Sequence, residues 1–207
     1  MAQNAASSPG EGNAPEPVLF DRPEITLPDP VPDHPLLNGR REIGRGEYSA
    51  VFEADDPEHV LKLISSPADY FLLTAEDRPR GIHFPIVYAD LGVVGRAQSG
   101  FPFHLIEMEK LYPLIDHSPA ADLAHRLTAF YWQACQKWSQ LGMNMGRIAF
   151  YHMLQEPLSI DSTMHEALRA LSDFIEEYQV LPDILSVDNL MMRKDGTLVF
   201  CDPVFIA

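Results

Sequence analysis

Near the end of the chain, Leu181-Pro182-Asp183 leads through Asp188-Asn189 into Leu190-Met191-Met192-Arg193, then Lys194-Asp195-Gly196, then Leu198-Val199-Phe200-Cys201-Asp202-Pro203. Two short apolar runs on either side of an Asp-Gly pair predict a β-hairpin. Closed in that way, it sets the amide oxygen of Asn189 beside the carboxylate of Asp202. A pair of hard oxygen donors suits a Mg²⁺ ion carrying nucleotide phosphates. Upstream stand Gly44-Arg45-Gly46 and, in Val60-Leu61-Lys62-Leu63, a lone lysine among apolar residues. Glycine lets backbone amides approach phosphate oxygens with no Cβ in the way, although two glycines in a hairpin are by themselves only a turn. In a strand, Lys62 faces one side while Leu61 and Leu63 face the other. It is either a surface lysine lying along apolar neighbours or a fixed ammonium for phosphate. Taken together these residues suggest a nucleotide-phosphate site.

The elements that must position them follow from the pattern. β-Branched and aromatic residues in Glu42-Ile43, Tyr48 to Glu53 and His59 to Ile64 predict strands, punctuated by Gly44, Gly46 and Asp55-Asp56-Pro57. Residues 67–77 read as a short helix with Tyr70, Leu72 and Leu73 on one face, ended by Pro79 and Gly81. Phe84 to Val94 and Phe103 to Met108 read as two more strands around a turn at Gly95 to Gly100. Ser118-Pro119 starts a helix whose apolar positions run from Leu123 to Leu141, with Gly142 as its stop. Thr163 with Glu166 resembles a capping box for a second helix, which ends before Pro182.

Composition narrows the classes. The 207 residues hold 46 % hydrophobic side chains, and 30 acidic against 15 basic groups give a net charge of −15. That is enough apolar material for one domain or two small lobes. The charge argues against direct binding to nucleic acid or an anionic membrane, because phosphate surfaces repel it. It leaves open an acidic decoy that mimics DNA, but the acids are scattered singly. Cys135 and Cys201 provide neither a disulfide framework nor a metal spacing, which points to buried thiols in a reducing, cytoplasmic compartment. The eight histidines show no ligand spacing, and no signal pattern or membrane-length apolar run is present. Met143, Met145 and Met153 are core residues or an adaptable binding surface. Residues 1–35 carry 8 of the 18 prolines, which predicts a disordered tail with two apolar islands, Val18-Leu19-Phe20 and Ile25-Thr26-Leu27, able to dock on a folded surface.

In order, these features resemble the protein kinase superfamily. Gly44-x-Gly46-x-x-Ser49-x-Val51 resembles the glycine-rich loop, and Val60-Leu61-Lys62 the lysine strand. Ile106-Glu107-Met108-Glu109 resembles the hinge that holds adenine through its backbone. Asn189 and Asp202, thirteen residues apart, resemble the catalytic-loop asparagine and the metal aspartate. The hairpin, with Asn189-x-Met191-x-Arg193, Asp195-Gly196-Thr197-Leu198-Val199 and Asp202-Pro203, is most similar to short kinase-like proteins of bacteriophages and some bacteria.

The resemblance implies an α+β, two-lobed kinase-like fold: a five-stranded antiparallel N-lobe over residues 36–110 and a reduced, mainly helical C-lobe over 111–207. It implies ATP and Mg²⁺ as cofactors and phosphoryl transfer to protein Ser/Thr hydroxyls. Gly44, Gly46, Val51, Glu107 and Met108 would line the nucleotide, Lys62 would grip phosphates with Glu76 as its partner, and Asn189 and Asp202 would hold metal. Asp69 and Asp77 compete with Glu76. Two departures matter. The family's catalytic aspartate lies five residues before the asparagine, where this chain has Ile184; Asp183 stands one position earlier. Either the loop bulges and Asp183 is the base, or the base is absent and the chain is a pseudokinase gripping a host or cellular protein. Asp188 is a loop residue or a further metal ligand. Pro203 to Ala207 follow Asp202, and the comparison with the family pattern predicts that the usual platform for a peptide substrate is lacking.

Overall fold

The computed structural model describes residues 24–184 and 189–206, so Val18-Leu19-Phe20 and Asp188 lie outside the described residues. Alternating apolar positions build β1 (Glu42–Arg45), β2 (Ser49–Glu53), β3 (His59–Ile64), β4 (Val87–Arg96) and β5 (Pro102–Glu109). They form one antiparallel sheet in the order β1-β2-β3-β5-β4. Lys62 lies opposite Val51 on one side and Ile106 on the other, so the three share a face. Val60, Ile64, Ile106 and Met108 on that face pack with Leu73. Leu61 and Leu63 turn to the opposite face and join Ala50, Phe52, Phe103 and Leu105.

That opposite face is covered by chain expected to be a disordered tail. From Glu24 onward the proline-rich segment lies on the sheet: Ile25, Leu27 and Leu37 are buried, and the Leu27 amide donates to Glu47 O at 3.0 Å. Of the two readings for Ile25-Thr26-Leu27, a loose tail or an island docked on a folded surface, the chain adopts the docked one. Proline denies this segment a helix but not an extended course over an apolar surface, and that surface would otherwise face water.

The Lys62 face is covered by α1 (Pro67–Thr74), separated from β3 by only Ser65 and Ser66. Ser66 caps it, accepting from the Asp69 amide at 3.4 Å, with Pro67 at the first helical position. The helix stops at Thr74, short of the expected 67–77, because Ala75 leaves the helical region at ψ 147°.

The second half is helical. Ser118 caps α2 (Pro119–Lys137), accepting from the Ala121 amide at 3.1 Å. A 3₁₀ segment, Ser139–Asn144, turns the chain at Gly142 (φ 59°) into α3 (Met145–Met153), a helix the sequence reading did not anticipate. For α4 (Ser162–Tyr178) the cap is Asp161, accepting from the Met164 amide at 2.9 Å. The expected Thr163–Glu166 capping box therefore does not form. Then β6 (Leu181–Pro182) pairs with β9 (Val204–Phe205), and β7 (Leu190–Met192) with β8 (Leu198–Phe200). Leu127, Tyr131, Phe150, Met153, Leu168 and Phe200 anchor one core shared by the helices and this hairpin. Met153 is thus core; Trp138 packs against that core, while Trp132 is exposed. The chain is α+β, with a five-stranded antiparallel sheet and four α-helices among the described residues. No described helix is long and apolar enough to cross a membrane.

Candidate functional site

Lys62 is one of the most buried side chains described, 2 % exposed, at the centre of β3. An ammonium so placed needs a counter-charge. It finds one 140 residues along the chain: Lys62 Nζ donates to Asp202 Oδ1 in a direct ion pair. Burial is the strongest single influence and lowers the basicity of this amine, but the charges of Asp202, Cys201 and Asp69 and the Asp202 hydrogen bond together outweigh it and hold the amine above the ordinary lysine range.

Asp202 is positioned by its neighbours in the hairpin. The amides of Cys201 and Asp202 both donate to Asn189 O, at 2.9 and 3.4 Å. The Asp183 amide donates to Pro203 O at 2.7 Å. The Asn189 side chain completes the brace: its Nδ2 donates to Asp183 O at 2.8 Å. With the amide nitrogen committed to protein, Asn189 Oδ1 is the atom left to act as a ligand. Asp183, Asn189 and Asp202 are therefore cross-tied, the Asn189–Asp202 contact through the hairpin and the ties to Asp183 from outside it.

Ile184, at the expected base position, is fully buried in the helical core. Asp183 instead sits beside Asn189, and burial, aided by the Asp202 charge, raises its carboxyl above the usual aspartate range against an Asn189 hydrogen bond.

Glu76 is not the partner of Lys62. It lies past the end of α1, exposed, with its carbonyl accepting from Arg80 at 3.1 Å. The carboxylate on this helix that acts on Lys62 is Asp69, in the first turn, 8 % exposed. Burial first, then the Asp202 charge, push Asp69 up to about 8, against the pull of Lys62. Its Oδ1 is buried without a hydrogen-bond partner. Asp77 is turned elsewhere, accepting from the Tyr178 hydroxyl at 2.7 Å.

Glu107 and Met108 also differ from expectation. Both lie inside β5, with Leu61 and Val60 opposite them on β3 and Ala89 and Val87 on β4. Glu107 accepts from His59 Nδ1 at 2.8 Å, and Met108 is buried. A strand in mid-sheet has its backbone engaged on both sides, and even beyond the end of β5 the Lys110 amide still donates to Glu58 O at 2.8 Å. Gly44 pairs with Val51 in the β1–β2 ladder, and the Gly46 amide donates to Ser49 O at 2.8 Å in the turn. Val51 packs against the apolar cluster around Lys62.

The site thus gathers one ammonium and three carboxyl groups. Among the described residues no three His, Cys, Asp or Glu side chains are placed to hold a metal alone. Asp202 with Asn189 Oδ1 supplies two hard oxygens, which fits Mg²⁺, an ion usually bound by one or two protein ligands with phosphates and water completing its shell. Comparison with protein-family models and with curated proteins finds no match for this chain.

Proposed function

We propose that the chain is a phosphotransferase of the protein kinase type, using ATP and Mg²⁺ to modify a protein Ser or Thr hydroxyl between an N-lobe (the sheet with α1) and a reduced helical C-lobe. The observation that carries this reading is the meeting of Lys62, Asp183, Asn189 and Asp202, drawn from opposite ends of the chain. Mg²⁺, when bound, neutralises phosphate charge. Asp202 and Asn189 Oδ1 are the residues to hold it. Lys62, freed from Asp202, then offers its charge to phosphate oxygens. Asp183 accepts the proton of the attacking hydroxyl; its raised proton affinity suits a general base, because a more basic carboxylate takes a proton more readily. Gly44 and Gly46 cover the phosphates from the β1–β2 turn.

A second reading, a pseudokinase that binds a partner without turnover, is favoured by the near-complete burial of Lys62 and its direct pairing with Asp202. Transfer of radiolabelled phosphate from ATP separates the two. The first reading expects label on a protein acceptor or on the chain itself, with Asp202→Asn and Asp183→Asn each lowering the rate by about 10²-fold or more. Absence of transfer by the wild type, or full activity in Asp202→Asn, ends it. A thermal shift by ATP and Mg²⁺ without transfer leaves the pseudokinase.

A further inference from the structure

Besides the exposed Lys194–Glu58 ion pair, the sheet and the Asn189–Asp202 hairpin are fastened by two inner ion pairs. One is the Lys62–Asp202 pair, which any phosphate and metal ligand must separate. The other is that of Arg193, which directly follows β7. Its Nε and one terminal nitrogen grip Glu109 at 2.8 and 2.6 Å, a two-pronged pairing at the end of β5. The same terminal nitrogen donates to Phe84 O at 2.9 Å, and the other donates to Ile82 O. Glu109 Oε1 also accepts from the Ile86 amide at 2.8 Å. The two side chains are 17 % and 10 % exposed. Beside them Tyr112 and Met192 exchange backbone hydrogen bonds, both at 2.8 Å. The planar fork of arginine matches a carboxylate in a way a lysine cannot.

We propose that Arg193 is a positioning residue. With Glu109 it holds β5, and through β5 the Lys62 strand, at a set distance from Asn189 and Asp202. Its function is to preserve that spacing once a ligand has replaced the direct Lys62–Asp202 pair. The catalytic meaning rests on the phosphotransfer reading, whereas the fastening itself does not. The sequence pattern contains Arg193 but gives no sign of its partner, because Glu109 lies 84 residues away.

The test uses the full chain and two readouts. Acetylation of amines followed by mass spectrometry reports access to Lys62. In Arg193→Met and Glu109→Gln, Lys62 should react about tenfold faster than in the wild type, as expected for a local opening short of unfolding. Lys194→Met, which removes the neighbouring exposed ion pair to Glu58, should leave Lys62 protected. Steady-state transfer should show kcat lowered by about 10²-fold in Arg193→Met, with the KM for ATP changed by no more than about threefold and partial recovery in Arg193→Lys. Should Arg193→Met fail to fold, Glu109→Gln, which keeps the volume, carries the test. Lys62 reactivity equal to wild type in both clamp variants overturns the proposal, as does an equal rise in Lys194→Met. A wild type that shows no transfer, with Lys62 unmasked in the clamp variants, removes the phosphotransfer reading and leaves the fastening role established.

Discussion

Asp69 shows how a single carboxyl can shape the pH response of the molecule. The unfolded chain releases this proton near pH 4, whereas burial and Asp202 push the folded group up to about 8. Across the interval between them the folded chain holds a proton that the unfolded chain lacks. The stability linked to Asp69 is therefore fully present below about pH 4 and drains away as pH rises through 8. Asp69→Asn carries the uncharged shape at every pH. Its melting temperature should vary less than that of the wild type between pH 5 and 8, and its stability at pH 5 should stay within about 1 kcal/mol of wild type. Parallel melting curves for the two proteins across that range would count against a neutral, buried Asp69. The sequence offered Glu76, Asp69 and Asp77 for the helix carboxylate. Only the position where α1 begins, set by Ser66 and Pro67, decides among them.

At the scale of elements, the β1–β2 turn separates structural from functional glycine. Neither Gly44 nor Gly46 has a positive φ among the described backbone angles. A Cβ added at Gly44 would meet only Val51 Cβ at 3.8 Å, and one at Gly46 only Ser49 atoms at 3.6 Å and beyond. The fold itself does not require glycine at either place. Under the proposed function the requirement comes from phosphate oxygens approaching the backbone. Gly46→Ala should thus fold with stability within about 0.5 kcal/mol of wild type. It should also weaken the thermal shift produced by ATP and Mg²⁺. An unchanged shift would remove the turn from the nucleotide site. The strands and the Asp-Gly hairpin were legible because alternation and turn residues are local signals. Helix α3 was not, since Gly142 breaks the chain just before it, Gly146 interrupts its pattern, and the packing of its Phe150 against Tyr131 of α2 arises only in three dimensions. The α4 cap was misplaced by a competing local motif: Asp161 and Thr163 are both good caps, and the burial of Met164 favours the earlier one.

At the scale of the whole molecule, the central strands of the sheet are covered on both faces, and their outer cover comes from chain that composition alone marks as tail. The cover is specific. Pro32 lies so close to Gly95 that a Cβ there would sit 2.8 Å from its ring, and Ile25 and Leu27 are buried to 4 % and 6 % exposure. Burying two such side chains contributes about 3–6 kcal/mol together. A typical domain holds only about 5–15 kcal/mol in total. A chain beginning at residue 36 should therefore unfold at much lower denaturant than one beginning at residue 24. It should also associate, because Ala50, Phe52, Leu61 and Leu63 lose their cover. Gly95→Ala tests the same contact without truncation, since Pro32 must move aside, at a cost of about 1–3 kcal/mol. Equal denaturation midpoints for the two truncations, together with a neutral Gly95→Ala, would show that the segment from Glu24 lies on the sheet without supporting it. The domain would then begin where composition places it. Unequal midpoints would put the boundary at Glu24, and with it the support of the strand that carries Lys62.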